Sequence, residues 1–148
     1  MKILALDMSS SHIGLCYDGW DFQTLTLRSP DIAQRCLQAA TQVRALITDA
    51  DIDMVAVESP VARFASAVIP QARVSGAVLA VLAVAQVAWV EIAPAAAKLA
   101  LTGKGNAKKP AMIAAATLAT KRNLDEHQAD AYGLWLAARA MKVERVAA

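Results

Sequence analysis

The sequence has 148 residues, of which 57% are hydrophobic and 19% are charged. This is the length of one domain, and the apolar content excludes a disordered or low-complexity protein. The net charge of +2 conceals a segregated pattern, because residues 61–124 carry eight basic residues and one acidic residue, whereas residues 1–60 carry four basic and eight acidic ones. A basic middle segment is typical of a protein that binds a polyanion, although a solvated basic face would give the same pattern.

The first half of the chain predicts four strands and one helix. An apolar run over residues 2–7 ends on Asp7 and indicates a buried central strand. Residues 14–17 and 20–27 predict a hairpin around the turn Asp18-Gly19. A helix is expected from Pro30 to about residue 48, with Ser29 as its N-cap. The fourth strand, residues 54–58, again ends on a carboxylate, that of Glu58.

The second half predicts one more strand and four helices. A loop over residues 59–66 leads into a long apolar helix over residues 67–88, and a strand follows at 89–92. Helices are expected at 94–101, at 109–120, and from Asp125 or Glu126 to about Met141. This order predicts a single α/β domain, residues 1–148, with a five-stranded mixed sheet. The first three strands should be antiparallel, and the fourth should lie parallel beside the first.

The sequence indicates a cytoplasmic protein without a membrane partner. The stretch from Val74 to Val90 is the most apolar, but it is shorter than the ~20 apolar residues that a membrane span needs, so we expect a buried helix or an oligomer interface there. The N-terminus lacks the pattern of a signal peptide, and Cys16 and Cys36 are interpreted as reduced thiols.

Four residues predict a cation site. Asp7 and Glu58 end strands that should be neighbours, so their carboxylates should meet at one edge of the sheet. His127 and Asp130 are three residues apart near the start of the last helix and therefore share one helix face. Each residue alone could be an ordinary surface or capping residue. Together they suit Mg²⁺ or Mn²⁺, and a pair of such ions can support phosphodiester hydrolysis.

A cluster of lysines predicts phosphate binding in the basic middle segment. Glycines at positions 103 and 105 would let the backbone come close to phosphate groups. The lysines that flank these glycines are Lys98, Lys104, Lys108 and Lys109.

Five segments in this order resemble the RuvC family of Holliday-junction resolvases. They are ILALDMSSSHIG, MVAVESP, IPQARVSGAVLA, WVEIAPAAAKLALTGKGNAKKPAM and DEHQADAYGLWLA. The resemblance implies an RNase H-like fold and a homodimer with the helix in the stretch Val74 to Val90 at its interface. It also implies an endonuclease that is selective for branched DNA, especially four-way junctions, and that makes paired nicks with 5′-phosphate and 3′-hydroxyl ends.

The resemblance also implies roles for individual residues. It assigns the catalytic, metal-binding set to Asp7, Glu58, His127 and Asp130, with two Mg²⁺ ions per active site and Mn²⁺ as a substitute. It assigns phosphate contacts to Lys98 and Lys109. To these DNA-binding residues we add Lys104, Lys108, Arg63, Phe64 and Arg73.

One departure and several alternatives remain open. The family often has an aromatic residue three positions after the glutamate of the fourth strand, where this chain has Val61, and Phe64 is the nearest aromatic residue. This leaves the cleavage-sequence preference open. The same site could serve a nuclease acting on forks, flaps or RNA, and a catalytically inactive junction-binding protein is a further alternative. The first motif also resembles the phosphate loop of actin-like ATPases and sugar kinases, but those need two such domains. The setting would be a bacterial cell or a phage-infected host.

Overall fold

A five-stranded mixed sheet lies at the centre of the structure, a computed structural model that describes residues 1–60 and 65–141. The strands are β1 (Ile3–Met8), β2 (His12–Tyr17), β3 (Asp21–Thr26), β4 (Met54–Glu58) and β5 (Ala88–Ile92), and their order in the sheet is β3-β2-β1-β4-β5. β1 pairs antiparallel with β2 and parallel with β4, and β2 pairs antiparallel with β3. The predicted fold class and strand arrangement are therefore confirmed.

Helices cover both faces of the sheet. On one face, α1 (Ile32–Asp49) and α2 (Ala65–Val84) pack against alternate residues of β1 and β4 such as Leu6 and Val57. On the other face, α3 (Pro94–Thr102), α4 (Lys109–Thr120) and α5 (Glu126–Ala140) pack against the intervening residues such as Ala5 and Ala56. β1 is buried along its whole length because it is the central strand between these two layers.

The start of α1 differs from the prediction. Its N-cap is Asp31, whose Oδ1 accepts a hydrogen bond from the backbone N–H of Ala33 at 3.1 Å. Ser29 instead accepts a hydrogen bond from the N–H of Asp31 at 3.2 Å, so it forms the turn before the helix. A carboxylate that is free to accept from the first helical turn has displaced both Ser29 and Pro30 from their predicted positions.

The predicted helix over residues 67–88 is wrong beyond Val84. α2 ends there, and Gln86 adopts a positive φ of 56° in the turn that leads to β5. Trp89 and Val90 lie in β5, which confirms the strand predicted at residues 89–92, so the stretch Val74 to Val90 is only partly helical. Only the part of this stretch that lies on α2 can form a helical interface.

Within residues 1–60 and 65–141, no helix is both long and apolar enough to cross a membrane.

Candidate active site

Strand alternation places Asp7 and Glu58 on the face of the sheet that α5 covers. Asp7 continues the row of Ile3 and Ala5 on β1, and Glu58 continues the row of Met54 and Ala56 on β4. The parallel register of β1 and β4 pairs Leu6 with Val57, so the two carboxylates follow at the same level. The sheet thus brings together the two strand-end acids as the sequence predicted.

Helix α5 supplies His127 and Asp130 from its first turns. It begins with a capping box in which Asp125 accepts from the N–H of Gln128 at 2.8 Å, and the Gln128 side chain accepts from the N–H of Asp125 at 3.1 Å. The hydroxyl of Thr24 donates to Asp125 at 2.6 Å and ties this helix end to β3. The capping box therefore fixes the residue at which α5 begins, and the bond from Thr24 fixes the position of this helix end against the sheet.

Gly14 lets α5 approach the sheet closely enough to bring His127 over Asp7. Gly14 is the β2 partner of Asp7, and a Cβ atom at this position would lie 2.1 Å from the carbonyl oxygen of His127. Any side chain here would push the helix away from the strand.

His127 and Asp7 form a direct contact. Nδ1 of His127 lies 3.3 Å from Oδ2 of Asp7, and Nε2 lies 3.7 Å from Oε1 of Glu126. The hydrogen bond with Asp7 is the main cause that raises the pKa of His127. A carboxylate can only accept, so the proton of the neutral imidazole lies on Nδ1 and the lone pair on Nε2.

The other two carboxyl groups are held where ionisation is unfavourable. Burial, followed by repulsion from Asp7 and Asp130, raises the pKa of Glu58 to about 7. Burial and the charge of Asp7 raise the pKa of Asp130 to about 6, although Lys109 and Lys98 partly offset this. These carboxyl groups therefore lack enough positive charge nearby to balance them.

A lysine-lined cleft of about 320 Å³ opens beside these carboxylates. Its lining includes Glu58 and Asp130 together with Lys98, Lys108 and Lys109. Lys98 lies on α3, and α3 can pack close to α5 because Gly133 faces the carbonyl oxygen of Ala97, which would be 3.0 Å from an added Cβ. A larger cleft, about 660 Å³, lies between β3 and α1, but it is lined mainly by threonine, leucine and alanine with scattered charges.

Several predicted DNA-binding residues lie apart from this cleft or outside the described residues. Lys104 is exposed in the connection between α3 and α4 and does not line the cleft. Arg73 is exposed on α2, on the other side of the sheet from α5. Arg63 and Phe64, like the departure at Val61, lie outside the described residues.

Sequence reasoning missed the contacts of Glu126 and the role of polar side chains around β1. Glu126 forms an ion pair with Lys109 at 2.5 Å. Gln71 donates to the carbonyl oxygen of Met8 at 2.9 Å, and Arg35 donates to that of Ser10 at 2.7 Å. Both fix the loop after β1. Their sequence signal is weak, since polar residues on an amphipathic helix are ordinarily solvated.

Among the described residues, no three histidine, cysteine or acidic side chains stand close enough to form a ready metal cage. The structure nevertheless places strand-end and helical carboxylates beside a basic cleft.

Comparison with solved structures supports an RNase H-like fold. The chain superimposes on Thermus thermophilus RuvC in complex with a Holliday junction substrate with a TM-score of 0.79 at 22% identity, covering 93% of this chain and 92% of that one. A second Thermus thermophilus RuvC structure gives 0.76 at the same identity and coverage. The yeast mitochondrial Holliday junction resolvase Ydc2 gives 0.61 at 8% identity, covering 93% and 80% of the two chains.

Sequence comparison identifies the family. The sequence model described as crossover junction endodeoxyribonuclease RuvC matches residues 17–137. The chain belongs to the RuvC family of crossover junction endodeoxyribonucleases, which are hydrolases of phosphodiester bonds. No individual curated protein sequence matches it significantly.

Proposed function

We propose that this protein resolves four-way DNA junctions by paired, metal-dependent nicks that leave 5′-phosphate and 3′-hydroxyl ends. The observation that carries the proposal is that β1, β4 and α5 place Asp7, Glu58, Asp130 and His127 beside a cleft lined by lysines. Membership of the RuvC family supports the same substrate class.

The carboxylate set fits divalent cations. Glu58 and Asp130 are half-buried, and burial together with the charge of Asp7 raises the pKa of each. Hard oxygen donors of this kind suit Mg²⁺, and Mn²⁺ accepts the same ligands. Two such ions would supply a more acidic bound water and charge stabilisation at the leaving oxygen. Asp7, Glu58 and Asp130 are the residues that would hold them.

The remaining residues orient the reactants. His127 donates Nδ1–H to Asp7, which leaves Nε2 to ligate a metal ion or to orient the attacking water. Lys98 and Lys108 would neutralise phosphates along the cleft. Lys109 would do so by exchanging its partner Glu126 for a phosphate oxygen.

The second half of the proposal is a homodimer formed through α2. Its buried face carries Val74, Val78 and Leu82. Its opposite face exposes residues at helical spacing that include small side chains, namely Ile69, Arg73, Gly76, Ala80 and Val84. Small side chains let two helices approach closely. Two protomers would then offer one active site to each of two symmetry-related strands.

A cleavage assay tests the reaction. Labelled four-way junction, fork, flap, linear duplex and RNA substrates are incubated with Mg²⁺, with Mn²⁺ or with chelator. We expect paired symmetrical cuts on the junction only, and Asp7→Asn should abolish cleavage while leaving junction binding intact. Preferential cutting of forks, flaps or RNA would show that one of these, rather than the four-way junction, is the substrate. Junction binding without cleavage by the native protein would indicate a catalytically inactive binding protein.

Light scattering tests the dimer. Gly76→Glu places a charge on the exposed face of α2 at a position where an added Cβ meets nothing within 4 Å, so the protomer should fold normally. We expect this variant to be monomeric and to lose paired cutting. Gln34→Glu, an equivalent charge on exposed α1, should remain dimeric. A native protein that is monomeric at the assay concentration would contradict the dimer.

A further inference from the structure

The imidazole of His12 lies against the candidate active site, although nothing in the proposed reaction uses it. His12 lies on β2, where strand alternation places it on the same face as Gly14 and Cys16, under α5. Its ring is stacked on that of His127, with centroids 4.8 Å apart and an interplanar angle of 14°. β2 therefore contacts His127 twice, with the backbone of Gly14 and with the ring of His12.

His12 is itself held in place by its neighbours. Its Nδ1 lies 2.9 Å from the hydroxyl oxygen of Ser11. Its backbone N–H donates to the hydroxyl oxygen of Ser9 at 2.8 Å, and that hydroxyl donates to the carbonyl oxygen of His12 at 3.0 Å. These bonds fix both the backbone and the ring of His12, so the ring can act as a rigid surface.

His127 needs such a surface because two carboxylates compete for it. Asp7 lies on its Nδ1 side at 3.3 Å and Glu126 on its Nε2 side at 3.7 Å. Glu126 is more exposed than Asp7 and is also engaged by Lys109. Rotation about the two side-chain torsions of His127 would exchange the nitrogen that faces Asp7. A ring packed flat against the imidazole restricts that rotation.

We propose that His12 is a positioning residue, whose stacked ring holds the His127 imidazole with Nδ1–H directed at Asp7 and Nε2 directed into the site. The inference rests on the proposed function for its effect on cleavage, but the contact itself can be tested without DNA or metal. His12 acts through its flat ring, so an aromatic ring without nitrogen should replace it.

Two variants distinguish the ring from its nitrogens. His12→Ala removes the stacked surface, and His12→Phe keeps it. We expect His12→Ala to lower the kcat of junction cleavage about tenfold, the lower end of the range for residues that orient ligands, with little change in KM. His12→Phe should restore kcat to within about twofold of the native value. Thr26→Ala, which truncates the exposed β3 partner of His12, controls for general weakening of this sheet edge.

Nuclear magnetic resonance gives the readout that is independent of activity. The chain has two histidines, so every imidazole signal of a His12 variant comes from His127. In the metal-free native protein and in His12→Phe, we expect a low-field Nδ1–H proton of His127 that is protected from solvent exchange. In His12→Ala that signal should be lost, while the backbone spectrum remains that of a folded protein.

The outcomes are decisive for the proposal. An Nδ1–H signal that persists in His12→Ala would overturn it, whatever the cleavage rate. A His12→Phe variant with a normal His127 signal but without restored cleavage would also overturn it, since His12 would then act through a nitrogen. Failure of the native protein to cut any junction would contradict the proposed function. The spectroscopic test of the His12–His127 stack would still decide the inference, because it does not depend on cleavage.

Discussion

Replacing Glu58 by glutamine should stabilise the metal-free protein at alkaline pH. Burial and the neighbouring carboxylates raise the pKa of Glu58 from 4.5 to about 7. At about 1.4 kcal/mol per pH unit, this difference corresponds to about 3 kcal/mol between the protonated and ionised forms in the folded state. Glutamine imitates the protonated form, so at pH 8 the Glu58→Gln variant should be more stable by about 2–3 kcal/mol, or about 5–10 °C in Tm.

The pH dependence of this effect has a defined sign. Between about pH 4.5 and 7 the folded state holds a proton on Glu58 that the unfolded state has released, so the native protein loses stability as pH rises through this window. The pKa of His127 is also raised, and loss of its proton adds a slope of the same sign. The contribution of Glu58 is therefore measured by the difference between the native and Glu58→Gln profiles of stability against pH, rather than by the slope of either profile.

Urea unfolding in chelator, from pH 4 to pH 8, measures this difference. The two profiles should coincide near pH 4 and diverge by pH 8. Glu91→Gln serves as a matched control because Glu91 is exposed on the neighbouring strand β5, and its profile should follow that of the native protein. Mg²⁺ at ten times its Kd should stabilise the native protein by about 1.4 kcal/mol and Glu58→Gln by much less. A Glu58→Gln variant that is no more stable than the native protein at pH 8 would refute the argument.

Three further predictions follow from contacts at the site. Lys109→Ala should reduce the slope of log junction affinity against log salt by about 1, whereas Lys121→Ala, at the far end of α4, should leave it unchanged; an unaltered slope for Lys109→Ala would exclude its phosphate contact. Gly14→Ala should destabilise the fold by about 3 kcal/mol in urea unfolding, since its Cβ would overlap the carbonyl group of His127, and native stability would contradict that close approach. Asp125→Ala should cost about 1–2 kcal/mol in the same assay by removing the capping box of α5, and the absence of any loss would show that other contacts fix this helix end.

The carboxylates of the site could be predicted from the sequence because strand alternation is a local rule. Asp7 and Glu58 each terminate an apolar run, and a parallel pairing of those runs is sufficient to bring them together. The spacing of His127 and Asp130 likewise follows from the helical period. The cap of α1 could not be predicted as safely, since Ser29 and Asp31 are both good N-cap residues and only the folded geometry decides between them.

Contacts between distant segments escaped prediction for a physical reason. Two such contacts are the ion pair of Lys109 with Glu126, which are 17 positions apart, and the stack of His12 on His127, which are 115 positions apart. No local sequence pattern predicts either pair. They depend on how deeply α5 lies against the sheet. Neither secondary-structure propensity nor the period of hydrophobic residues predicts that depth, because it is set by positions that have no side chain.

Two glycines let α5 lie this deeply and thereby determine how close the side chains of the candidate site come to one another. Gly14 on β2 brings the backbone of α5 down onto the strand, and Gly133, one turn beyond Asp130, brings the same helix against α3. The first contact places His127 over Asp7, and the second brings Asp130 toward Lys98. A side chain at either position would force the helix outward and separate the groups of the candidate site. The geometry of the candidate site therefore depends on close backbone packing as directly as on the charged residues themselves.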